Sequence, residues 1–354
     1  MAENSAPPAS LADAPFMRAC RREPAPYTPV WLMRQAGRYM ESYRQLRARV
    51  SFLDLCKTPD LAAEVTVDAV ERLGVDAAII FADILLILEP MGMHLEFSAG
   101  DGPVLHNPLR NAADVAQLRE VDAAESLPFV LQAVGAARAA LAPDVPLIGF
   151  AGAPFTLASY MIEGGSSRQF AHTKAFMYTQ PQAWHALMAL LSRSLTRYLN
   201  AQAAAGAQAV QLFDSWVGNL SPADYRTFVM PHSRDVIAGV TPGVPVLHFG
   251  TGTNALLELM REAGGDVIGV DFRVELGDAW QRLGDVAVQG NLDPAVLLAE
   301  RPYIRRRVEE ILRQAAGRAG HVFNLGHGIL PTTPVDNVRA LVDAVHELSA
   351  REPS

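Results

Sequence analysis

TPDLAAEVTVDAVERLGVDAAIIFAD, residues 58–83, is the stretch that decides the fold. Thr58 offers an N-cap hydroxyl, Pro59 a pre-set first helical residue, and residues 60–73 a helical spacing of apolar side chains. Gly74 stands where a helix C-terminus wants a left-handed residue. Residues 76–81 are then an apolar run of strand length, and it ends on Ala82-Asp83. The unit is a helix feeding a buried strand that delivers one carboxylate.

The same alternation extends in both directions. Strand-like runs stand at 29–33, 76–81, 146–150, 207–213, 244–249, 266–271, 285–289 and 321–325, with helical patterns at 127–141, 181–205, 222–240, 253–263, 303–319 and 335–348. Ser221-Pro222 and Thr333-Pro334 repeat the helix-start signal, and Gly206 and Gly264 repeat the stop. Eight strand–helix units predict an α/β fold, a single-domain (β/α)8 TIM barrel. An open doubly wound sheet is the runner-up, but neither a GxGxxG after the first strand nor a Walker pattern occurs. The barrel domain is placed at 27–350, with a flexible N-terminal tail at 1–26. Extended loops follow strands 2 and 3. The first, 89–108, is rich in turn residues (Gly92, Gly100, Asp101, Gly102, Pro103); the second, EGGSSR at 163–168, reads as mobile.

Composition narrows the function. The chain has 354 residues, 50% hydrophobic and 19% charged, and its Gly (26) and Pro (24) are scattered, which excludes a disordered or collagen-like chain. A formal net charge of −8 with no basic tract argues against nucleic acid as a partner. The longest apolar stretch, 77–88, is interrupted by Asp83 and is too short for a bilayer span, and the first thirty residues lack a signal-peptide core. Cys20 and Cys56 fall in no CxxC or metal-ligand spacing, which fits a reducing, cytoplasmic setting. Only Lys57 and Lys174 are lysines among the 30 basic residues, so lysine chemistry is scarce.

Barrel sites assemble where strands end. Those ends read Arg34-Gln-Ala-Gly-Arg38, Ala82-Asp83, Gly152-Ala-Pro-Phe-Thr156 with Tyr160 beyond, Asp214-Ser215-Trp216, Gly250-Thr-Gly252, Phe272-Arg273, Gly290-Asn-Leu-Asp293 and Gly326-His327-Gly328. Arginines at 34, 38, 44, 47 and 49 face one acid, Glu41, so the local sign opposes the global one and suits an anionic ligand. Arg44 and Arg49 read as a solvated helix face, whereas Arg34 and Arg38 flank a glycine that lets backbone approach a ligand. Asp83 in an apolar run must be protonated, hydrogen-bonded or opposed by a cation. A structural pairing with an arginine accounts for it as well as function does, and its place at a strand end favours function. Tyr160 and Ser215 taken singly would be core and turn residues. His327 between two glycines has space around its ring. The histidines form no HxH or HExxH pattern and there is no GxSxG, so neither a metal site nor a Ser-His-Asp hydrolase is indicated.

Together these segments resemble the uroporphyrinogen decarboxylase family. PVWLMRQAGRY (29–39), IFADIL (80–85), LIGFAGAPFT (147–156), QGNLDP (289–294) and NLGHG (324–328) match its motifs in order and spacing, over about 29–346. The resemblance implies a homodimeric barrel, without cofactor or metal, that converts the four acetate side chains of uroporphyrinogen III to methyl groups and yields coproporphyrinogen III for tetrapyrrole and haem synthesis. It implies that Asp83 accepts from pyrrole N–H groups and stays ionised because the substrate and nearby arginines favour the anion. Arg34 and Arg38, with the backbone of Gln35, Ala36 and Gly37, would hold carboxylates, and either arginine could help deliver a proton. Tyr160, Ser215 and His327 would contact substrate side chains. The identity of the proton donor stays open. A rival on the same barrel is the zinc-dependent methyltransferases with a His-x-Cys pattern; here that place reads His248-Phe249-Gly250. A non-catalytic porphyrinogen carrier would keep the arginines without needing Asp83.

Overall fold

The computed structural model describes residues 10–98 and 102–351. Its centre is a curled sheet of seven parallel strands, β1 (Ala78–Ile79), β4 (Leu147–Gly152), β5 (Ala209–Asp214), β6 (Val246–Gly250), β7 (Val267–Gly269), β8 (Ala287–Gln289) and β9 (His321–Val322), hydrogen-bonded in that order. Nearly every strand residue is buried. Parallel strands covered on both faces require that, and it is why their sequences read as continuous apolar runs. Helices Pro59–Leu73, Pro128–Ala140, Pro181–Ala205, Met230–Ala238, Leu257–Ala263, Leu276–Leu283, Arg301–Ala315 and Val335–Ser349 alternate with the strands.

The first expected strand, 29–33, is reduced to one bridging residue. Val30 pairs in parallel with Phe323; Trp31 N–H donates to the Phe323 carbonyl at 3.3 Å, and Phe323 N–H to the Pro29 carbonyl at 2.8 Å. On its other side Val30 O accepts from Asp76 N–H at 2.8 Å, and Val30 N–H donates to the Asp76 carboxylate at 2.7 Å. Beyond Trp31 the backbone ladder stops because side chains supply its acceptors. Leu32 N–H goes to Gln35 Oε1 (3.1 Å) and Met33 N–H to Asn324 Oδ1 (3.1 Å). Asp76 also accepts from the Tyr27 hydroxyl and pairs with His346, tying the early segment to the last helix.

Several element ends differ from the sequence reading. Gly74, at φ 69°, closes Pro59–Leu73 by donating to the Val70 carbonyl, and Ser221 caps Asp224 N–H. Thr58, however, donates its hydroxyl to the Asp54 carbonyl instead of capping. The last helix begins at Val335, with Pro334 rather than Thr333 in the capping position. The expected helix 222–240 divides into Pro222–Asp224, a π-turn Tyr225–Val229 and Met230–Ala238. Pro231 has no N–H to offer the preceding turn, and the wider π-turn absorbs the missing bond.

The 89–108 loop is a short helix, Leu88–Met91, followed by an antiparallel hairpin, β2 (Leu95–Ser98) and β3 (Gly102–Leu105). Gly100 and Asp101 lie outside the described residues. The hairpin is joined to the 163–168 loop, since Leu105 N–H donates to the Gly164 carbonyl at 2.9 Å. Within the stretch expected as an N-terminal tail, residues 10–26 are described. Pro15–Cys20 is a helix with Phe16, Met17, Ala19 and Cys20 buried, because its apolar face packs beside β9 rather than meeting water. Residues 1–9 lie outside the described residues. No helix among those described is long and apolar enough to cross a membrane.

Candidate active site

Four of the candidate residues come together at the C-terminal ends of the strands. Arg34 follows the bridging segment in a left-handed conformation (φ 63°), which lays its exposed side chain against Gly328. Asp83 lies just past β1, half-buried, with one oxygen accepting from Leu85 N–H at 2.9 Å. Tyr160 rises from helix Pro154–Glu163, which Pro154 starts directly after β4. His327 follows β9.

Their charges act on one another. Burial pushes the Asp83 carboxyl up to about 6, against the pull of the Leu85 N–H and of Arg34. Desolvation outweighs Arg34 here, and a carboxyl that titrates at about 6 is still mostly ionised at pH 7. Tyr160 is raised to about 12 by burial first and then by Asp83, with Arg34 opposing. Loss of hydration, and after it the charges of Arg34 and Arg273, hold His327 below the ordinary imidazole value. Its Nδ1 accepts from Gly328 N–H at 2.8 Å, which leaves Nε2–H as the outward donor of a neutral ring.

The remaining candidates divide. Ser215 is half-buried beside Trp216, whose ring meets that of Tyr160 at 5.8 Å. Arg38 is exposed, but its charge is felt at Tyr43, and its carbonyl accepts from Arg44 at 3.0 Å. Gln35 turns inward: its N–H donates to the Leu32 carbonyl, its side-chain amide to the Ala77 carbonyl, and its own carbonyl accepts from the Tyr39 hydroxyl. Gln35 therefore builds the turn, with Ala36 and Gly37 half-exposed at its tip.

A model of the family described as uroporphyrinogen decarboxylase (URO-D) matches residues 11–348.

The chain belongs to the uroporphyrinogen decarboxylase family.

A relative from Sorangium cellulosum named uroporphyrinogen decarboxylase is 58% identical, covering 94% of this chain and 96% of its own. One from Carboxydothermus hydrogenoformans is 56% identical (95% and 96%), and one from Thermus thermophilus 53% (95% and 98%). Among solved structures, a methyltransferase from Methanosarcina mazei superposes with a TM-score of 0.77 at 22% identity, covering 94% of this chain and 98% of that one. At that identity the likeness is one of fold. His248 does not face the strand ends: it is buried, its Nδ1 lies 3.2 Å from the Gly264 carbonyl, and a Cβ on Gly250 would meet Thr253 Cγ2 at 2.7 Å. Among the described residues no three His, Cys, Asp or Glu side chains converge as metal ligands.

Two further carboxylates stand at strand ends and were not singled out as candidates from the sequence. Asp214, fully buried at the end of β5, accepts from the Thr156 hydroxyl at 3.1 Å, while its other oxygen has no partner; burial lifts its carboxyl to about 7. Asp271, 1% exposed, accepts from Arg273 N–H at 2.8 Å, from its guanidinium at 2.6 Å, and from Gly252 N–H. The available signal was a carboxylate and an arginine two residues apart at one strand end.

Proposed function

We propose that this protein decarboxylates uroporphyrinogen, removing carbon dioxide from its four acetate side chains to leave methyl groups. The observation that carries this reading is Asp83. In a chain of the decarboxylase family, a half-buried and mostly ionised carboxylate stands at a strand end within reach of Arg34, Tyr160 and, through Arg34, His327.

The chemistry follows from the substrate class. A pyrrole carries its own electron sink, so neither cofactor nor metal is required. A proton adds to the α ring carbon next to the one that bears the acetate, giving an iminium-like cation conjugated with that side chain. The bond to the carboxylate breaks, its electron pair neutralises the cation, and carbon dioxide leaves. The exocyclic methylene takes a proton to become methyl, and the ring carbon gives one up. Asp83 accepts from the pyrrole N–H groups, and its fixed charge stabilises the cation, an effect that strengthens where water is excluded. Arg34 and Arg38, with the N–H groups of Ala36 and Gly37, bind carboxylates. Tyr160 and Ser215 contact side chains, and His327 donates Nε2–H to a propionate.

The bonds of Val30 to Phe323 on one side and Asp76 on the other support closure of the seven strands into a barrel, with 29–31 as the eighth member. On this reading the barrel domain spans about 15–350, since Pro15–Cys20 is part of its packing. A cytoplasmic homodimer with the clefts facing each other completes the proposal.

The test is anaerobic incubation of the metal-free protein with uroporphyrinogen III, with products resolved by carboxylate number. Stepwise conversion to the tetracarboxylate is expected; recovery of unchanged octacarboxylate overturns the reading, and chelator-sensitive activity would favour a metal-dependent one.

A further inference from the structure

Arg273 is the strand-end cation that the mechanism leaves without work. It follows β7, and its guanidinium is held from two directions while its backbone is tied to the same carboxylate. One amino group donates to the buried Asp271 carboxylate at 2.6 Å and its Cζ lies 4.4 Å from the Phe272 ring centroid, while the backbone N–H of Arg273 donates to the other oxygen of that carboxylate at 2.8 Å. Asp271 is itself fixed by Gly252 N–H, while the backbone carbonyls at 271 and 274 accept from the Asn291 side chain. The turn also packs backbone to backbone on Gly326, where a Cβ would fall 2.2 Å from Phe272 N. His327 is therefore the next-door neighbour, and it senses the charges of both Arg34 and Arg273.

A surface ion pair has no need of such support. Here a rigid turn spends a buried carboxylate on aiming one guanidinium, and the side chain is still 54% exposed at the site mouth. A planar fork with one edge anchored and the other open is how arginine binds a second carboxylate. Arg34 acts on Asp83, Tyr160 and His327, whereas the effect of Arg273 falls on His327. Arg273 thus neighbours His327 at the strand ends.

We propose that Arg273, aimed by the positioning residue Asp271, binds a propionate carboxylate of the substrate, one that persists through all four decarboxylations, and shares it with His327. This rests on the decarboxylase reading above.

The experiment compares wild type, Arg273→Gln, Arg273→Lys and the double variant Asp271→Asn/Arg273→Gln, which leaves no buried charge without its cation. KM and kcat are measured with uroporphyrinogen and with the pentacarboxylate porphyrinogen that has one acetate left. Loss of one charged hydrogen bond predicts a KM raised about tenfold or more for both substrates, with little change in kcat and partial recovery in Arg273→Lys. An unchanged KM overturns the proposal, and so does a rise for the octacarboxylate that disappears with the pentacarboxylate, since that marks an acetate contact. A fall in kcat and melting temperature at constant KM marks a structural ion pair and overturns it as well. Equilibrium binding of the oxidised octacarboxylate porphyrin, followed by absorbance, needs no turnover. Equal affinity of wild type and both Gln variants sinks the Arg273 contact, whereas a wild type that binds but does not decarboxylate sinks only the functional reading.

Discussion

The side chain of Arg34 lies directly on the backbone of Gly328: a Cβ added there would stand 2.6 Å from Arg34 Cδ and 3.0 Å from Cγ. Two motifs almost three hundred residues apart therefore meet as one surface, and the glycine is needed for the space that its missing side chain leaves. Gly328→Ala is expected to displace Arg34 rather than unfold the protein, since the obstructing atoms belong to an exposed, flexible chain. Stability should stay within about 1 kcal/mol of wild type while KM for the porphyrinogen rises. Thermal melting and steady-state kinetics on the same sample check both halves.

Gly326, two residues earlier, should behave in the opposite way. Its Cβ would fall 2.2 Å from Phe272 N and 2.7 Å from Phe272 Cα, and backbone cannot rotate aside. Gly326→Ala is expected to cost roughly 3 kcal/mol or more, seen as a low yield of folded protein or a steep drop in melting temperature. A variant melting like wild type would mean that the 272–273 turn is less closely packed than described.

The activity should have an acid limb set by Asp83. Its carboxyl titrates at about 6, and the anion is the form that supports the cationic intermediate, so kcat/KM should fall as pH drops through that value. Asp83→Asn should keep the fold, lose about a hundredfold or more in turnover, and show no such limb in what remains. A pH–rate profile of both proteins decides the matter, and near-native turnover in the variant would remove Asp83 from the mechanism.

Asp214 gives a stability prediction of definite sign. Its folded-state value of about 7 lies above the ordinary 3.8 because the buried anion is poorly solvated and has one hydrogen-bond partner, Thr156. The folded protein thus holds the proton more tightly than the unfolded chain. That contribution is full below the unfolded value and is lost as pH rises through about 7. Asp214→Asn removes the titration. The melting temperature of the variant relative to wild type should climb from pH 5 to pH 8.5, the difference at high pH amounting to about 4 kcal/mol at most.

What the sequence determined by itself was local. Helix spacing, prolines at helix starts and Gly74 at a helix end announce their elements because each depends on neighbours within one or two turns. Continuous apolar runs announce buried parallel strands for the same reason. Asp83, Arg34 and His327 were legible as candidates from their places after such runs, whereas Tyr160 became one only through the family resemblance. Pro231 was not read as a break in the 222–240 helix, although its missing N–H is a local signal and the π-turn there follows from it.

Only the tertiary structure decided who faces whom. The strand at 29–33 shortens to one bridge because Asn324, from the other end of the chain, takes the Met33 N–H that a ladder would have used. Gln35 fits the binding motif in sequence, yet packing turns its side chain toward the Ala77 carbonyl. The charge on Asp83 depends on how much water the surrounding elements exclude, and the aim of Arg273 on a carboxylate that is buried only once the curled sheet has formed. Periodicity reports the hydrogen bonds a segment makes with itself. Desolvation and charge pairing are set by distant segments, and they come into being when the strands curl the ends of the chain together.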